Sequence, residues 1–120
     1  MATPSSIEIR SYQVGFGDCF LLSFVYPSFK RHVLIDFGTT ELPSSVSGTT
    51  AAYMAGIAAH IKKTCGGKLT AVIATHRHAD HISGFATTGK NGGSGKIIAS
   101  CQPDVVLQPW TEDPAAAAIE

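Results

Sequence analysis

Three of the five histidines and one aspartate fall within His76-Arg77-His78-Ala79-Asp80-His81. In extended backbone, residues i and i+2 project to the same side. His76 and His78 can therefore reach one cation at about 2.0–2.1 Å. Asp80 and His81 come where the chain turns into a helix, and their side chains can reach a second ion beside the first. Imidazole with carboxylate suits Zn²⁺, with Mn or Fe as other occupants. Two such ions ~3.5–4 Å apart share a hydroxide and hold both ends of a hydrolysed bond. The competing reading is a solvated histidine-rich turn in which Asp80 merely caps a helix. Arg77 and Ala79 lie between the ligands, point the other way and are given no chemistry.

The elements that must position this cluster can be read from periodicity. Residues 7–14 alternate apolar and polar, with Ile7 and Ile9 on one face, which predicts a half-buried strand. Gly15-Phe16-Gly17-Asp18 supplies a turn, and the apolar run Cys19 to Tyr26 predicts a more buried strand, completing a hairpin. His32 to Gly38 reads as a third strand ending in Asp36. Thr39 to Thr50 is a loop rich in Ser, Thr, Gly and Pro. Met54, Ile57, Ala58, Ile61 and Cys65 recur at helical spacing over 51–65, with Lys62 and Lys63 in the last turn and Gly66-Gly67 as the stop. Leu69 to Ala74 is a fourth strand that runs straight into the histidines, and a short helix is expected from about Asp80 to Thr87.

Downstream, Gly89 to Gly95 reads as a flexible loop. Gly89 to Lys96 superficially matches a phosphate-cradling loop, but Lys90 stands where the first glycine belongs and Ile97 where Ser or Thr belongs. Gly15-Phe16-Gly17 likewise fails as a dinucleotide fingerprint, since Phe20 occupies the third glycine's place. Ile97 to Ser100 is ambiguous, Pro103 to Trp110 predicts a fifth strand, and Thr111 to Glu120 carries a weak helical signal. The first strands should pair as a meander that the later ones join, in an α/β protein.

Composition bounds the rest. A 120-residue chain with 44% hydrophobic and 15% charged residues reads as a single globular domain over 1–120. Lys+Arg and Asp+Glu are both 9, so net charge points to neither nucleic acid nor a lipid surface. Cys19, Cys65 and Cys101 are odd in number, far apart and without a C-x-x-C pair. That predicts reduced thiols and a cytoplasmic location, and, with no run approaching ~18 apolar residues, no membrane partner is expected.

The signature at 76–81 resembles the H-x-H-x-D-H motif of the metallo-β-lactamase-fold hydrolases, and the flanking Thr75 and Ile82-Ser83-Gly84-Phe85 fit the same pattern. Leu34-Ile35-Asp36-Phe37-Gly38 is similar to that family's strand-ending aspartate motif. Val14-Gly15-Phe16-Gly17-Asp18-Cys19 resembles the V-G-x-G-D stretch of its competence-protein-related subgroup. The resemblance spans roughly residues 7–110 and implies an αββα sandwich with metals at one sheet edge. It assigns His76 and His78 to a first Zn²⁺, and Asp80 and His81 to a second. Asp80 also orients the bridging hydroxide, and Asp36 supports the site from behind. Asp36 is otherwise a turn residue before glycine, and Asp18 is either a turn residue or part of the site rim.

The family supplies further ligands downstream, including two histidines, whereas this chain has no histidine after His81. Its later carboxylates are Asp104, Glu112, Asp113 and Glu120, and Asp104 reads as structural. The resemblance thus implies the N-terminal half of the sandwich: about five strands, one long helix and one short helix. The expected activity is metal-dependent hydrolysis, on a phosphodiester or nucleic-acid substrate by the subgroup resemblance. The alternatives are a small-molecule thioester, lactone or β-lactam, or an inactive half-domain lacking its downstream ligands. A missing C-terminal half or a homodimer would cover the apolar surface such a half-domain exposes.

Overall fold

Strands β1 (Ser6–Ser11), β2 (Cys19–Val25) and β3 (Lys30–Phe37) form an antiparallel meander at one side of a single sheet. The computed structural model describes residues 2–90 and 92–109. After β3 the chain leaves the sheet through helix α1 (Thr50–Thr64) and returns as β4 (Ala71–Ile73), parallel to β3. A short helix α2 (Ala79–Ile82), a 3₁₀ turn (Ser83–Phe85) and helix α3 (Gly93–Ala99) lead to β5 (Val105–Leu107), parallel to β4. The result is a mixed α/β protein with a five-stranded sheet in the order β1-β2-β3-β4-β5.

Helix α1 starts where its sequence says it should. The Thr49 hydroxyl accepts the Ala52 N–H at 3.1 Å, filling one of the unpaired donors of the first turn. Its face of Met54, Ile57, Ala58 and Ile61 is buried with Leu21, Leu34, Phe37 and Val72 from one side of the sheet. Each such large side chain contributes about 1.5–3 kcal/mol by leaving water. Ile98 of α3 completes this core.

The opposite sheet face is also apolar but has no layer over it among the described residues. Register aligns Ile9, Leu22, Val33, Ala71 and Val105 in one cross-strand row, and Phe20, Ile35, Ile73 and Leu107 in the next. Ile9 is 69% exposed. The predicted half-burial of Ile7 and Ile9 is thus not observed: alternation correctly marks one shared face, and that face is open.

The second departure is α3. The end of the glycine-rich stretch predicted as a flexible loop, Gly93 to Gly95, forms the first turn of a helix over Gly93–Ala99. Gly95 serves contact, since a Cβ there would collide with the Phe85 and Ala86 carbonyls, whereas Gly93 faces open space. Beside it, the Ser94 hydroxyl donates to the Gly84 carbonyl at 2.8 Å. The long predicted strand over 103–110 is short, Val105–Leu107, and the segment 111–120, with Glu112, Asp113 and Glu120, lies outside the described residues. No helix in the described residues is long and apolar enough to cross a membrane.

Candidate metal centre

The three segments singled out by sequence converge at the carboxyl ends of β3 and β4. A register shift opposite Cys19 and Phe20 pairs Cys19 with Phe37 and Phe20 with Ile35, leaving Asp36 as an extra residue in β3. Such a bulge turns a side chain out of the strand's alternation. Asp36 has φ of 58°, the left-handed region that Asp tolerates better than most residues. Three donors hold it there. The Thr75 N–H donates to Oδ1 at 2.7 Å, and the Thr75 hydroxyl donates to Oδ2 at 2.6 Å. His81 Nδ1 lies 3.0 Å from the same Oδ2.

Backbone contacts lock the loop of Gly15 to Asp18 onto this site. The Asp18 N–H donates to the Asp80 carbonyl at 3.0 Å, and the Gly38 N–H donates to the Asp18 carbonyl at 3.1 Å. A Cβ on Gly17 would strike the Gly38 carbonyl oxygen, and one on Gly38 would sit 2.5–2.7 Å from backbone atoms of Ala79, His81 and Ile82. These two glycines are present because three main chains cross without room for a side chain. Ser83 closes the ring, since its hydroxyl donates to the Thr39 carbonyl at 3.0 Å and accepts the Thr39 N–H at 2.9 Å.

Among the described residues, Asp18, Asp36 and His81 form a group whose ligand atoms lie within 4.8 Å of one another. Of the four predicted ligands, only His81 belongs to it. His76 stacks on His81 with ring centroids 4.6 Å apart, and His78 lies parallel to His76 at 6.2 Å. Asp80 Oδ2 is 3.6 Å from His81 Nε2. Asp18 Oδ2 is 3.3 Å from His81 Nδ1, which puts Asp18 at the rim of the site.

Hydrogen-bond polarity fixes the tautomers. A threonine hydroxyl has one proton, and Thr75 gives it to the Asp36 carboxylate, which can only accept. The Thr75 oxygen, 3.0 Å from His76 Nδ1, must then accept, so His76 carries its proton on Nδ1. His81 Nδ1 faces two carboxylates and is likewise the protonated nitrogen. Both Nε2 lone pairs are left available. That of His81 lies near the Asp80 carboxylate, which makes two electron-rich groups side by side. A cation between them would relieve that repulsion, so the donor set fits a divalent metal. On the expected assignment His76 and His78 would hold one ion and Asp80 and His81 a second, with Asp36 and Asp18 on the Nδ1 side of His81.

Thr75 is the functional residue that sequence reasoning leaves without a role. Its place directly before the signature is the one local signal, because its partner Asp36 lies 39 positions away in the chain. Arg77 and Ala79, given no chemistry above, line a largely apolar cleft of about 670 Å³ with His76, Val72, Phe85 and Ile98. The remaining histidines are structural: His60 Nδ1 meets the Tyr12 hydroxyl at 2.8 Å, and His32 Nδ1 meets Ser23 at 2.7 Å. Asp104 pairs with Lys68 at 2.6 Å, away from the cluster.

No family model, curated protein or solved structure matches this chain.

Proposed function

We propose that the chain carries the metal-binding half of a metallo-β-lactamase-like hydrolase. The observation that carries this reading is the hydrogen-bond chain from His76 through Thr75 to Asp36 and from Asp36 to His81. It aims two Nε2 lone pairs away from their carboxylate support, as metal-ligating histidines require. A bound Zn²⁺ would supply Lewis acidity and bring a water's pKa toward ~7. The chain's own residues supply ligand orientation: Asp36 holds one imidazole directly and the other through Thr75. Asp80 offers a carboxylate 3.6 Å from His81 Nε2 and is the residue assigned to orient the attacking hydroxide.

The substrate reading taken from the V-G-x-G-D resemblance is a phosphodiester. The apolar cleft beside His76 favours a second reading, in which a thioester or lactone rests its apolar portion against Phe85 and Ile98. Zn²⁺ titration of the purified chain, with turnover of bis-p-nitrophenyl phosphate and of an acyl thioester, tests both. Tight binding of about two ions, with turnover lost in His78→Ala, is the expected result. Weak or absent binding with no turnover of either substrate would leave the inactive half-domain as the correct reading of this chain.

A further inference from the structure

Cys65 and Cys101 are 36 positions apart, yet their sulfurs lie 4.0 Å from each other where the ends of α1 and α3 meet. Cys65 caps α1, and Cys101 follows the last turn of α3. The Cys65 thiol is oriented toward the Lys62 carbonyl at 3.6 Å and the Cys101 thiol toward the Ile97 carbonyl at 3.6 Å. The pair is not symmetric. Cys101 is fully buried, while Cys65 keeps 6% of its surface exposed and lines a cleft of about 520 Å³. Lys30, Arg31 and Lys68 also line that cleft, with Asp104 as the carboxylate facing them. An anionic small thiol or disulfide would be drawn to such a rim.

We propose that Cys65 and Cys101 form a reversible disulfide, with Cys65 as the entry thiol for an anionic disulfide of the glutathione type and Cys101 as the resolving thiol. Cys65, having lost its proton to solvent, attacks one sulfur of the oxidant. A Cys65–glutathione disulfide forms, and one glutathione leaves as its thiolate and takes up a proton. The Cys101 thiol then gives up its proton as its sulfur attacks the Cys65 sulfur, the mixed disulfide breaks, and the second glutathione leaves as a thiolate that takes up a proton. Two protein thiols are oxidised by two electrons and one glutathione disulfide is reduced to two thiols. The sulfurs must close from 4.0 Å to about 2.05 Å.

The new bond would clamp α1 to α3. Helix α3 in turn supports the 3₁₀ turn through Ser94 and Gly95, and Phe85 of that turn meets Phe37 beside Asp36 at 5.7 Å between rings. Burial pushes the Cys101 thiol up to about 11, so it waits protonated, and the exchange is slow. Cys19 is an internal control: it is 1% exposed, and burial together with the Asp36 carboxylate pushes it up to about 12.

The test needs no metal and no substrate, so it succeeds or fails apart from the proposed hydrolase. The full chain is equilibrated in glutathione buffers from reducing to oxidising, then denatured, alkylated with N-ethylmaleimide and mapped by mass spectrometry. The expected product is two hydrogens lighter, takes one alkyl group on Cys19, links the Cys65 and Cys101 peptides, and reverts in dithiothreitol. Its melting temperature should rise on the order of 10 °C. Three alkylated cysteines at every oxidising ratio, or a bond to Cys19 or to a second chain, would overturn the proposal. Cys101→Ala should stop at a glutathione adduct on Cys65, and Cys65→Ser should leave Cys101 unmodified. An adduct that accumulates first on Cys101 overturns the assigned order. That order is also read from the wild-type time course, which decides it if either variant fails to fold.

Discussion

Asp36 and His81, 45 positions apart, meet with Oδ2 at 3.0 Å from Nδ1, and the same carboxylate receives both donors of Thr75. One carboxylate, 3% exposed, therefore sets the direction of two imidazoles. It does so from a left-handed backbone position that the bulge in β3 creates. Strained conformations of this kind cost on the order of 1–3 kcal/mol and persist where surrounding bonds over-determine them.

Asp36→Asn separates charge from backbone geometry, because Asn also tolerates the left-handed region. The variant keeps one acceptor oxygen and presents an amide to donors that need a carboxylate. Zn²⁺ affinity should fall ~10–100-fold, measured by competition with a chromogenic chelator. Unchanged affinity would remove Asp36 from the support of the site.

Thr75→Val keeps the shape and removes the hydroxyl that connects His76 to Asp36. His76 then has no fixed tautomer, and roughly a 10-fold loss of Zn²⁺ affinity is expected. Thr75→Ser restores the hydroxyl and should restore the affinity. If both variants bind alike, the hydroxyl does not orient His76.

Gly38→Ala places a methyl group against the backbone of Ala79, His81 and Ile82. Main chain cannot move aside as a side-chain tip can, so destabilisation of about 3 kcal/mol is expected in urea unfolding. Gly93→Ala, in open space on α3, should be neutral or slightly stabilising. Equal midpoints for the two variants would show that the crossing is looser than its geometry.

How far these features are legible in the sequence depends on the length scale of the cause. Alternation over 7–14 places β1, short apolar runs place β2 and β3, and periodicity of 3.6 places α1, because burial is written locally in residues such as Leu21, Leu34 and Ile57. The six-residue cluster is legible for the same reason: its four predicted ligands are neighbours in the chain. The aim of Asp36 is not, because it depends on a bulge defined by pairing with Cys19 and Phe20. Helix α3 is hidden by its glycines, of which Gly95 has a purpose, contact with Phe85 and Ala86, that exists only after the chain has folded. The meeting of Cys65 with Cys101 is equally non-local.

The two sheet faces should respond oppositely to truncation. Leu34, with 0% exposure, packs under α1, and Leu34→Ala should cost about 2–5 kcal/mol through lost burial and the cavity left behind. Ile9 has the same apolar character but is 69% exposed, and Ile9→Thr should change stability by no more than about 0.5 kcal/mol. A large loss at Ile9 would mean that something covers the open face in solution.

His32 gives the pH dependence a definite sign. Its ring is buried against Ser23, and burial, reinforced by Lys30, lowers its pKa below the ordinary 6.5. The folded state therefore keeps it neutral at a pH where the unfolded chain already binds a proton. Stability is fully present above pH 6.5 and is lost as pH falls through that value toward the lower folded pKa. Glu8 opposes the shift, and Arg10 adds to it, so both charges belong to the same balance. Urea midpoints compared at pH 8 and pH 5.5 should drop for the wild-type chain. The drop should be smaller for His32→Gln, which retains a polar partner for Ser23 and cannot take up a proton. An equal drop in both proteins would assign the acid sensitivity to other groups.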